Sequence, residues 1–397
     1  MTEPRATERS TTATPSGGTR LPLAGLRVID AATVLAGPSC ARYLADFGAE
    51  VVKVERPDGG DTWRRVGWVD PRDGVGLWWK YTNRNKRCLA LDLKDENDCD
   101  VFLHLVEGAH VLVENFRPGT LERLGLGPDV LLDRNPSLVV TRVTGFGQDG
   151  PYAQRPGFAT LAEAMSGFAA VNGEHDRGPL LPPIALTDEV TGLTAALATM
   201  IALHSGVGQV VDVNLLESMF QLMGPLLSAY RLSGFVQERM GSSLPYTVPR
   251  GTFRCADGAW VAVSTSAESV AARVMELVGL GGDDRFATFT GRVAHRDEVD
   301  AAVASWIGQR SQAEVLEAFD AAHAAAAPVL TIADIADDPH YAARGAIQEV
   351  DGTPMQGLVA RLSATPGRLG WAGRPLDADG AALRRDGWGS ARDETAG

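Results

Sequence analysis

Asp188 is the side chain in this sequence best placed to act as a nucleophile. It lies in the segment Ile184–Gly192 (IALTDEVTG), between an apolar run and a long apolar helical pattern. The dipole of a helix N-terminus favours the ionised carboxylate that nucleophilic attack requires. Aspartate is also a preferred N-cap, a structural role that stabilises a helix by ~0.5–2 kcal/mol. The local sequence leaves both interpretations of Asp188 open.

Basic residues recur in short segments that follow predicted strands. They are Lys53, Arg56, Arg84, Lys86, Arg87, Lys94, Arg117 and Arg123. Ligands of open α/β sheets bind outside the carboxyl ends of the strands. In a protein with a net charge of −13, positive charge repeated at these points predicts a cleft for an anionic, phosphorylated ligand. Any one of these residues taken alone is equally well explained as solvated surface charge.

The segment Gly145–Gly150 satisfies the G-x-G-x-x-G pattern of dinucleotide-binding loops. Pro151 and Tyr152 follow where a helix should begin. The dinucleotide loop also belongs to the first βα turn, whereas this pattern comes late in the chain. We therefore interpret the segment as a glycine turn that lines a ligand cleft, because glycine lets the backbone approach a ligand closely.

Several other kinds of catalytic site are not indicated. The seven histidines show no spacing with carboxylates that suggests a metal, and the four cysteines include no C-x-x-C pair. We therefore expect no metal. The G-x-S-x-G pattern of α/β-hydrolases is missing as well. These observations leave a carboxylate as the best candidate for the nucleophile.

Composition and charge limit the classes of partner. The net charge of −13 argues against nucleic acid and against an anionic membrane surface. No stretch approaches the ~20 consecutive apolar residues of a membrane span. Residues 1–20 are rich in Thr, Ser, Gly and Pro and lack an apolar core segment, so we expect a disordered leader and not a signal peptide. A cytoplasmic location is the corresponding expectation.

Strand and helix patterns alternate through the first half of the chain. Leu26–Asp30, a helix from Ala36 and Glu50–Glu55 form a βαβ unit, which predicts a parallel sheet. We expect an α/β fold with a doubly wound parallel sheet in a large domain, residues 21–224. A smaller α+β domain should follow over residues 225–327, with a hairpin that turns at Ala256–Gly258. Residues 328–397 should return to the large domain.

Five segments together resemble CoA-transferase family III, whose superfamily includes formyl-CoA transferase, carnitine CoA-transferases and α-methylacyl-CoA racemase. They are LRVIDAATVLAGPSCARYLADFGAEVVKVERPDGGD (26–61), NRNKRCLALDLK (83–94), VENFRPGTLERLGL (113–126), GFGQDGPYAQRPGF (145–158) and GQVVDVNLLESMF (208–220). The resemblance implies two chains threaded through each other as an interlocked homodimer. It also implies coenzyme A, carried as an acyl-CoA, as a substrate, together with a carboxylic acid.

The resemblance further implies roles for individual residues. Val34 and Ala36 are expected near the adenosine end of CoA, and Asn115 and Phe116 are expected to line the cleft. The residues expected to contact phosphates or the nucleotide are Arg56, Lys94 and Arg123. Asp188 matches the aspartate that transferases of the family use as nucleophile, which implies acyl-anhydride and CoA-thioester intermediates on its carboxylate.

Two departures from the family pattern bear on the reaction. Racemase members carry a Gly-His-Asp run where this chain has Gly157, Phe158 and Ala159. Racemisation needs an acid and a base beside the α-carbon, and Phe158 cannot transfer a proton. Formyl-CoA transferase carries a carboxylate at the position of Ala159, and Thr187 stands where a glycine is often found.

Glu163 and Glu189 are candidates to compensate for the carboxylate that is missing at position 159. CoA transfer to a carboxylic acid is the leading hypothesis for the function. The alternatives are an acyl-CoA racemase or isomerase, and a CoA-binding paralogue with altered chemistry.

Overall fold

The large sheet of the protein is parallel and six-stranded, with the order β3-β2-β1-β4-β5-β6. This computed structural model describes residues 20–391, so residues 1–19 of the expected leader lie outside the described residues. The strands are β1 Arg27–Asp30, β2 Glu50–Glu55, β3 Lys86–Ala90, β4 Val111–Glu114, β5 Val139–Thr144 and β6 Gln209–Asn214. Apart from β6, these strands are almost entirely buried, as expected for a parallel sheet covered on both faces.

Helices pack on both faces of this sheet. The helices in this part of the chain are α1 Ala36–Asp46, α2 Leu77–Thr82, α3 Glu96–Glu107, α4 Thr120–Arg123, α5 Pro128–Arg134, α6 Ala159–Met165, α7 Phe168–Val171, α8 Leu186–Ser205, α9 Leu215–Gln221 and α10 Leu226–Ser233, of which α10 buries no residue. On one face Ala41 of α1 and Ala195 of α8 share a core with strand residues. On the other face Phe102 of α3 and Leu131 of α5 do the same. The predicted doubly wound α/β fold is confirmed.

The strand order determines where a ligand can bind. β1 lies between β2 and β4, and the chain runs outward to β3 before it returns to β4. The loops after β1 and β4 therefore leave the sheet in opposite directions, which opens a crevice at the carboxyl ends of these two strands. Ala31–Leu35 follow β1, and Asn115 and Phe116 follow β4. Both loops belong to segments that the sequence predicted to line a cleft.

α8 packs closely against α1 because Gly192 has no side chain at their contact. A Cβ atom at Gly192 would lie 2.8 Å from the Ser39 Cβ and 3.0 Å from the Ala36 carbonyl oxygen. By length and composition α8 is also apolar enough to cross a membrane, the one such helix in residues 20–391. Its buried residues, which include Thr191, Gly192 and Ala195, face the protein core.

A three-stranded antiparallel sheet forms a second layer. Its elements and flanking helices are β7 Arg250–Arg254, β8 Trp260–Ser264, α11 Glu268–Leu277, α12 Phe289–Ala294, α13 Arg296–Gly308, α14 Gln312–Ala321 and β9 Ala326–Pro328. β7 and β8 pair as the predicted hairpin, and its turn contains Asp257 and Gly258. Val261, Phe286 and Val303 belong to its separate hydrophobic core.

The C-terminal segment contacts the parallel sheet at β3. Its elements are α15 Ile332–Ala336, α16 Pro339–Ala343, β10 Ile347–Val350, β11 Thr353–Gln356 and α17 Gly380–Asp386. The Asp379 carboxylate accepts a hydrogen bond from the Cys88 N–H at 2.8 Å. The Trp388 indole donates one to the Leu105 carbonyl at 2.8 Å. The domain boundaries at residues 224 and 327 remain predictions, and β9 itself spans the second of them.

One predicted helix is interrupted. The apolar segment Phe158–Ala170 predicts a single long helix, whereas the structure contains α6 and α7 with Gly167 between them. Gly167 has a φ of 95°, which lies in the left-handed region and ends the regular helix. Two short helices, α6 and α7, therefore take the place of one long helix.

We expect Gly192→Ala to lower the free energy of unfolding by about 1–3 kcal/mol, because the new methyl group overpacks the contact between α1 and α8. Alanine normally stabilises a helix by ~0.5–1 kcal/mol relative to glycine. A lower free energy of unfolding in Gly192→Ala would therefore identify steric overlap between α8 and α1. Gly308→Ala in α13 is the control, since its Cβ would meet only the Arg254 carbonyl at 3.8 Å. Thermal melts of both variants test this prediction. A melting temperature of Gly192→Ala equal to that of Gly308→Ala would contradict it.

Candidate functional site

The loop after β1 is tied to the loop after β4 and to the segment after β2. The Thr33 N–H donates to the Asn115 Oδ1 at 2.8 Å, and the Asn115 Nδ2 donates to the Thr33 carbonyl at 2.7 Å. Val34 has a φ of 67°, a strained value for a β-branched residue. Its N–H donates to the Asp61 Oδ2 at 3.0 Å. These bonds hold the rim of the crevice in one conformation.

Two lysines lie beneath this loop and neutralise buried aspartates. The Lys86 Nζ contacts the Asp30 Oδ2 at 2.8 Å and the Pro38 carbonyl at 2.7 Å. The Lys53 Nζ lies 3.7 Å from Asp30 and 3.9 Å from Asp61. Both lysine side chains are fully buried. The prediction that Lys53 and Lys86 face an anionic ligand is therefore wrong, because carboxylates inside the protein already pair with them.

The neighbouring arginines are also engaged within the protein. The buried Arg84 pairs with Asp46, with an Nη2–Oδ2 distance of 2.6 Å. Arg87 pairs with Glu50 at 3.1 Å. The sequence pattern places these arginines beyond a strand, but β3 begins at Lys86, so they lie at the amino end of the strand. The prediction that they face the ligand is wrong for this reason.

A cavity of about 380 Å³ lies at the carboxyl ends of β1 and β2, and we call it the cationic cavity. Val34, Arg56, Lys94 and Phe116 contribute to its lining. Neither Arg56 nor Lys94 forms an ion pair with another residue of the described chain. Both cations are exposed and remain available to an anion.

Of the residues to which the family resemblance gives a role, Arg123 is the one that lines neither this cavity nor the cavity around Asp188 that is described next. It lies exposed on α4, where its Nη2 donates to the Thr120 Oγ1 at 2.8 Å. Its side chain also passes close to Gly119, because a Cβ there would lie 3.2 Å from the Arg123 Nη1. Leu124, the next residue, does line the cationic cavity.

A second cavity, of about 410 Å³, contains Asp188, and we call it the carboxylate cavity. The predicted site residues Val34, Ala36, Asn115 and Phe116 also line it. Val34 and Phe116 border both cavities. The two cavities therefore form neighbouring parts of one cleft. The exposed cations Arg56 and Lys94 lie at one end, where Glu55, Asp61 and Asp92 also line the wall. Asp188 lies at the other end with Arg117 and Arg155.

Asp188 is the third residue of α8 and not its cap. The helix begins at Leu186, and its N-cap residue is Ala185, which makes no side-chain capping bond. The cap interpretation is therefore wrong. The Asp188 side chain is partly buried, and among residues 20–391 no group donates a hydrogen bond to it. A carboxylate without donors is free to attack a bound electrophile.

Burial, together with the negative charges of Glu163 and Glu189, raises the pKa of Asp188 to about 6. The helix N-terminus opposes this effect, but desolvation of the charged form outweighs it. At neutral pH the carboxylate is still mostly ionised. Its higher basicity makes it a better nucleophile than an ordinary aspartate, whose pKa lies near 4.

Glu163 and Glu189, the two candidates for the missing carboxylate, are both engaged. Glu163 is buried, and its Oε1 accepts a hydrogen bond from the Thr187 Oγ1 at 2.8 Å. Glu189 accepts hydrogen bonds from three side chains of α1: Ser39 Oγ at 3.0 Å, Arg42 Nη2 at 2.9 Å and Tyr43 Oη at 2.8 Å. Glu189 therefore joins α8 to α1, and Thr187 connects Glu163 to the turn that carries Asp188.

The glycine turn Gly145–Gly150 serves a close backbone contact. A Cβ at Gly145 would lie 2.4 Å from the Gly157 Cα, and one at Gly157 would lie 2.5 Å from the Gly145 Cα. The amides of Gly147 and Gln148 already donate within the protein, to Thr144 at 3.0 Å and Asp212 at 2.9 Å. Gly145 and Gly157 line the carboxylate cavity, so Gly145 is the glycine of the turn that fits the cleft interpretation.

Sequence reasoning missed two residues of the cleft. Asp61 ends the longest family-like segment but carries no pattern that marks it as the partner of the Val34 N–H. Arg155 lines the carboxylate cavity and stacks on Tyr152, with its guanidinium 4.0 Å from the ring centre. The spacing of these two residues in the sequence permits the stack, but polar surface loops have many such pairs. Within the described residues, no group of three His, Cys, Asp or Glu residues is placed to bind a metal.

Comparisons with known proteins give a consistent set of relatives. A family model described as CoA-transferase family III matches residues 23–379. The chain is similar to succinyl-CoA–D-citramalate CoA-transferase of Chloroflexus aurantiacus, with 37% identity over 94% of this chain and 96% of the relative. The beta subunit of succinyl-CoA–L-malate CoA-transferase of that organism is 42% identical over 88% of this chain and 90% of its own.

A solved structure gives the same result for the fold. The crystal structure of a CAIB/BAIF family protein from Brucella suis is 32% identical to this chain. The match covers 92% of this chain and 99% of that one, with a TM-score of 0.81.

The titration of Asp188 can be measured directly. We expect the carboxyl ¹³C signal of Asp188, assigned with Asp188→Asn, to titrate with a pKa of about 6. Glu163→Gln should lower this pKa, because it removes a nearby negative charge and keeps an acceptor for Thr187. Glu317→Gln, an exposed change on α14, is the control and should leave the pKa unchanged. An unshifted pKa in Glu163→Gln would contradict the electrostatic coupling.

Proposed function

The chain belongs to CoA-transferase family III, and on that premise we propose that it moves CoA from an acyl-CoA to a carboxylic acid through intermediates on Asp188. The observation that carries this proposal is the cleft itself. One of its cavities contains the cations Arg56 and Lys94, which form no ion pair within residues 20–391. The other contains the carboxylate of Asp188, which accepts no hydrogen bond from those residues. A CoA ester is anionic at one end and electrophilic at the other, so the two ends match.

The cations would hold the phosphates of CoA at the cationic cavity. Val34 and Ala36 would lie along the nucleotide side, and Asn115 and Phe116 would line the path of the pantetheine chain. Arg123 on α4 would contact the nucleotide from outside the cleft. This arrangement would bring the thioester carbonyl to Asp188.

The reaction on Asp188 would proceed by two exchanges on its carboxylate. The carboxylate attacks the thioester carbonyl, the C–S bond breaks, and an acyl-aspartyl anhydride and CoA thiolate form. The thiolate then attacks the aspartyl carbonyl, which releases the donor acid and leaves an aspartyl-CoA thioester. The acceptor carboxylate then attacks the aspartyl-CoA thioester, which forms a second anhydride and releases the CoA thiolate. The thiolate attacks the acceptor carbonyl of this anhydride, which forms the acceptor's CoA ester and frees Asp188. Asp188 is regenerated as a carboxylate and no net proton is consumed.

We propose dicarboxylic acids as the substrate class of the donor and the acceptor. The names of the relatives support this, because they combine succinyl-CoA with D-citramalate and L-malate. A further relative, from Agrobacterium fabrum, is named succinate–glutarate CoA-transferase and is 35% identical over 85% of this chain. The lining of the carboxylate cavity also supports this class, because its two arginines, Arg117 and Arg155, give the cavity positive charge.

We also propose that the protein functions as an interlocked homodimer. α8 leaves Leu193, Leu197 and Ile201 between 43% and 64% exposed, four residues apart and so on one face of the helix. Exposed apolar side chains continue over the following segments, among them Phe220, Leu222, Leu227, Tyr230, Leu232 and Val236. A second copy of the chain wrapped around this region would remove that apolar surface from water.

Trapping with hydroxylamine tests the covalent mechanism. Incubation with succinyl-CoA and hydroxylamine should convert Asp188 to its hydroxamate, because the anhydride and thioester intermediates are both electrophilic. Peptide mass spectrometry should find the adduct at Asp188. Asp188→Asn should abolish both adduct and transfer, with a loss of several orders of magnitude, as for other nucleophiles.

Asp149→Asn, an exposed change on the glycine turn, is the matched control and should retain both signals. Transfer by Asp188→Asn at the wild-type rate would refute the mechanism. Exchange of an α-hydrogen with deuterated water, without CoA transfer, would instead indicate an isomerase.

The dimer is tested by sedimentation. We expect the purified chain to sediment at twice its own mass, with no monomer at micromolar concentration. Leu197→Glu with Ile201→Glu should yield monomer or insoluble protein, because the two charges would be buried at the interface. A soluble, active monomer of the wild-type chain would contradict the proposal.

A further inference from the structure

Arg155 is an exposed cation at the wall of the carboxylate cavity. Its guanidinium lies over the Tyr152 ring at 4.0 Å, and it lines the cavity that contains Asp188. It forms no ion pair with any other residue in the range 20–391. Buried arginines such as Arg84, by contrast, are paired with carboxylates of the protein. The charge of Arg155 is therefore available to a molecule in the cavity.

The stack with Tyr152 fixes how the guanidinium is presented. A planar guanidinium that rests its face on a ring keeps its N–H donors free at the edge. Tyr152 is itself held edge-on by Phe146, with ring centres 6.0 Å apart and planes at 70°. The segment returns to the sheet at Gly157, whose Cα lies against Gly145. Arg155 is thus carried by a supported loop.

The charges of the carboxylate cavity favour an anionic substrate group. Its lining contains three charged residues, namely Asp188, Arg117 and Arg155. Asp188 serves the reacting carbonyl, so it does not recognise the rest of the acyl group. Arg117 directly follows Phe116, which borders both cavities, so it is the arginine nearer along the chain to the cationic cavity. Arg155 lies in the same segment as Gly157, Phe158 and Ala159, which line the carboxylate cavity and not the cationic cavity.

We propose that Arg155 binds the distal carboxylate of a dicarboxylic acyl group while its other carboxyl carbon reacts at Asp188. This inference rests on the proposed function and adds a specificity-determining residue to it. An Arg–carboxylate pair is bidentate and charge-assisted. A monocarboxylic acyl group ends in a methyl group, leaves the guanidinium without a partner, and should be discriminated against.

The test compares succinyl-CoA with butyryl-CoA, which has the same chain length but no distal carboxylate. The measured quantity is the ratio of kcat/KM for the two donors with one acceptor. Arg155→Gln should lower this ratio ~10–100-fold, the effect of losing a charge-assisted hydrogen bond. Arg155→Lys should restore only part of it, because lysine supplies charge without the planar fork.

Arg117→Gln is the matched control, a second arginine of the same cavity, and should weaken both donors about equally. An unchanged kcat/KM ratio in Arg155→Gln would overturn the assignment. If kcat/KM falls equally for succinyl-CoA and butyryl-CoA, the ratio is unchanged and Arg155 contacts the CoA part that both donors share. The hydroxamate at Asp188 separates the two hypotheses. If the wild-type protein forms the hydroxamate but Arg155→Gln leaves the kcat/KM ratio unchanged, only the role of Arg155 is refuted. If the wild-type protein forms no hydroxamate, the covalent mechanism and the role of Arg155 are both refuted.

Discussion

The cleft depends on a set of buried opposite charges beneath the carboxyl end of β1. Lys86 and Lys53 both approach Asp30, and Lys53 also approaches Asp61, whose other role is to accept the N–H of Val34. Removing one member of such a set leaves an unpaired buried charge, which typically costs about 3–5 kcal/mol. The charges are therefore stable only together. Because they come from three adjacent strands and the segment after β2, they force the loop after β1 into a single path.

The opposite wall of the cleft is held by the junction of α8 with α1. Glu189 bonds three side chains of α1, and Gly192, one turn later, lets the helices touch. Asp188 lies between Thr187, which bonds Glu163, and Glu189, which bonds α1, so the backbone that carries its carboxylate is held on both sides. The packing that orients the carboxylate also partly buries it, and that burial is the main cause of its raised pKa.

The fold was predictable to a large extent from local patterns, and the site only in part. The segments Leu26–Asp30 and Glu50–Glu55, rich in valine and isoleucine, identified β1 and β2 correctly, because a buried parallel strand needs apolar side chains on both faces. The basic run at Arg84 was misassigned because its partner, Asp46, is 38 residues away and nothing local identifies the pair. Arg155 was missed for a related reason, since its importance lies in the cavity that it enters and not in its neighbours.

The sequence by itself determined the doubly wound class, the family and the presence of an acidic residue at the start of an apolar helix. These features depend on periodicity and on short contiguous motifs, which are readable along the chain. Only the tertiary structure decided which cations remain free for a ligand, that Asp188 lacks donors and has a raised pKa, and that Arg155 shares its cavity. Those properties arise from burial and from pairing between distant segments. The same lysine or arginine is a ligand contact or an internal counter-ion according to what the fold places beside it.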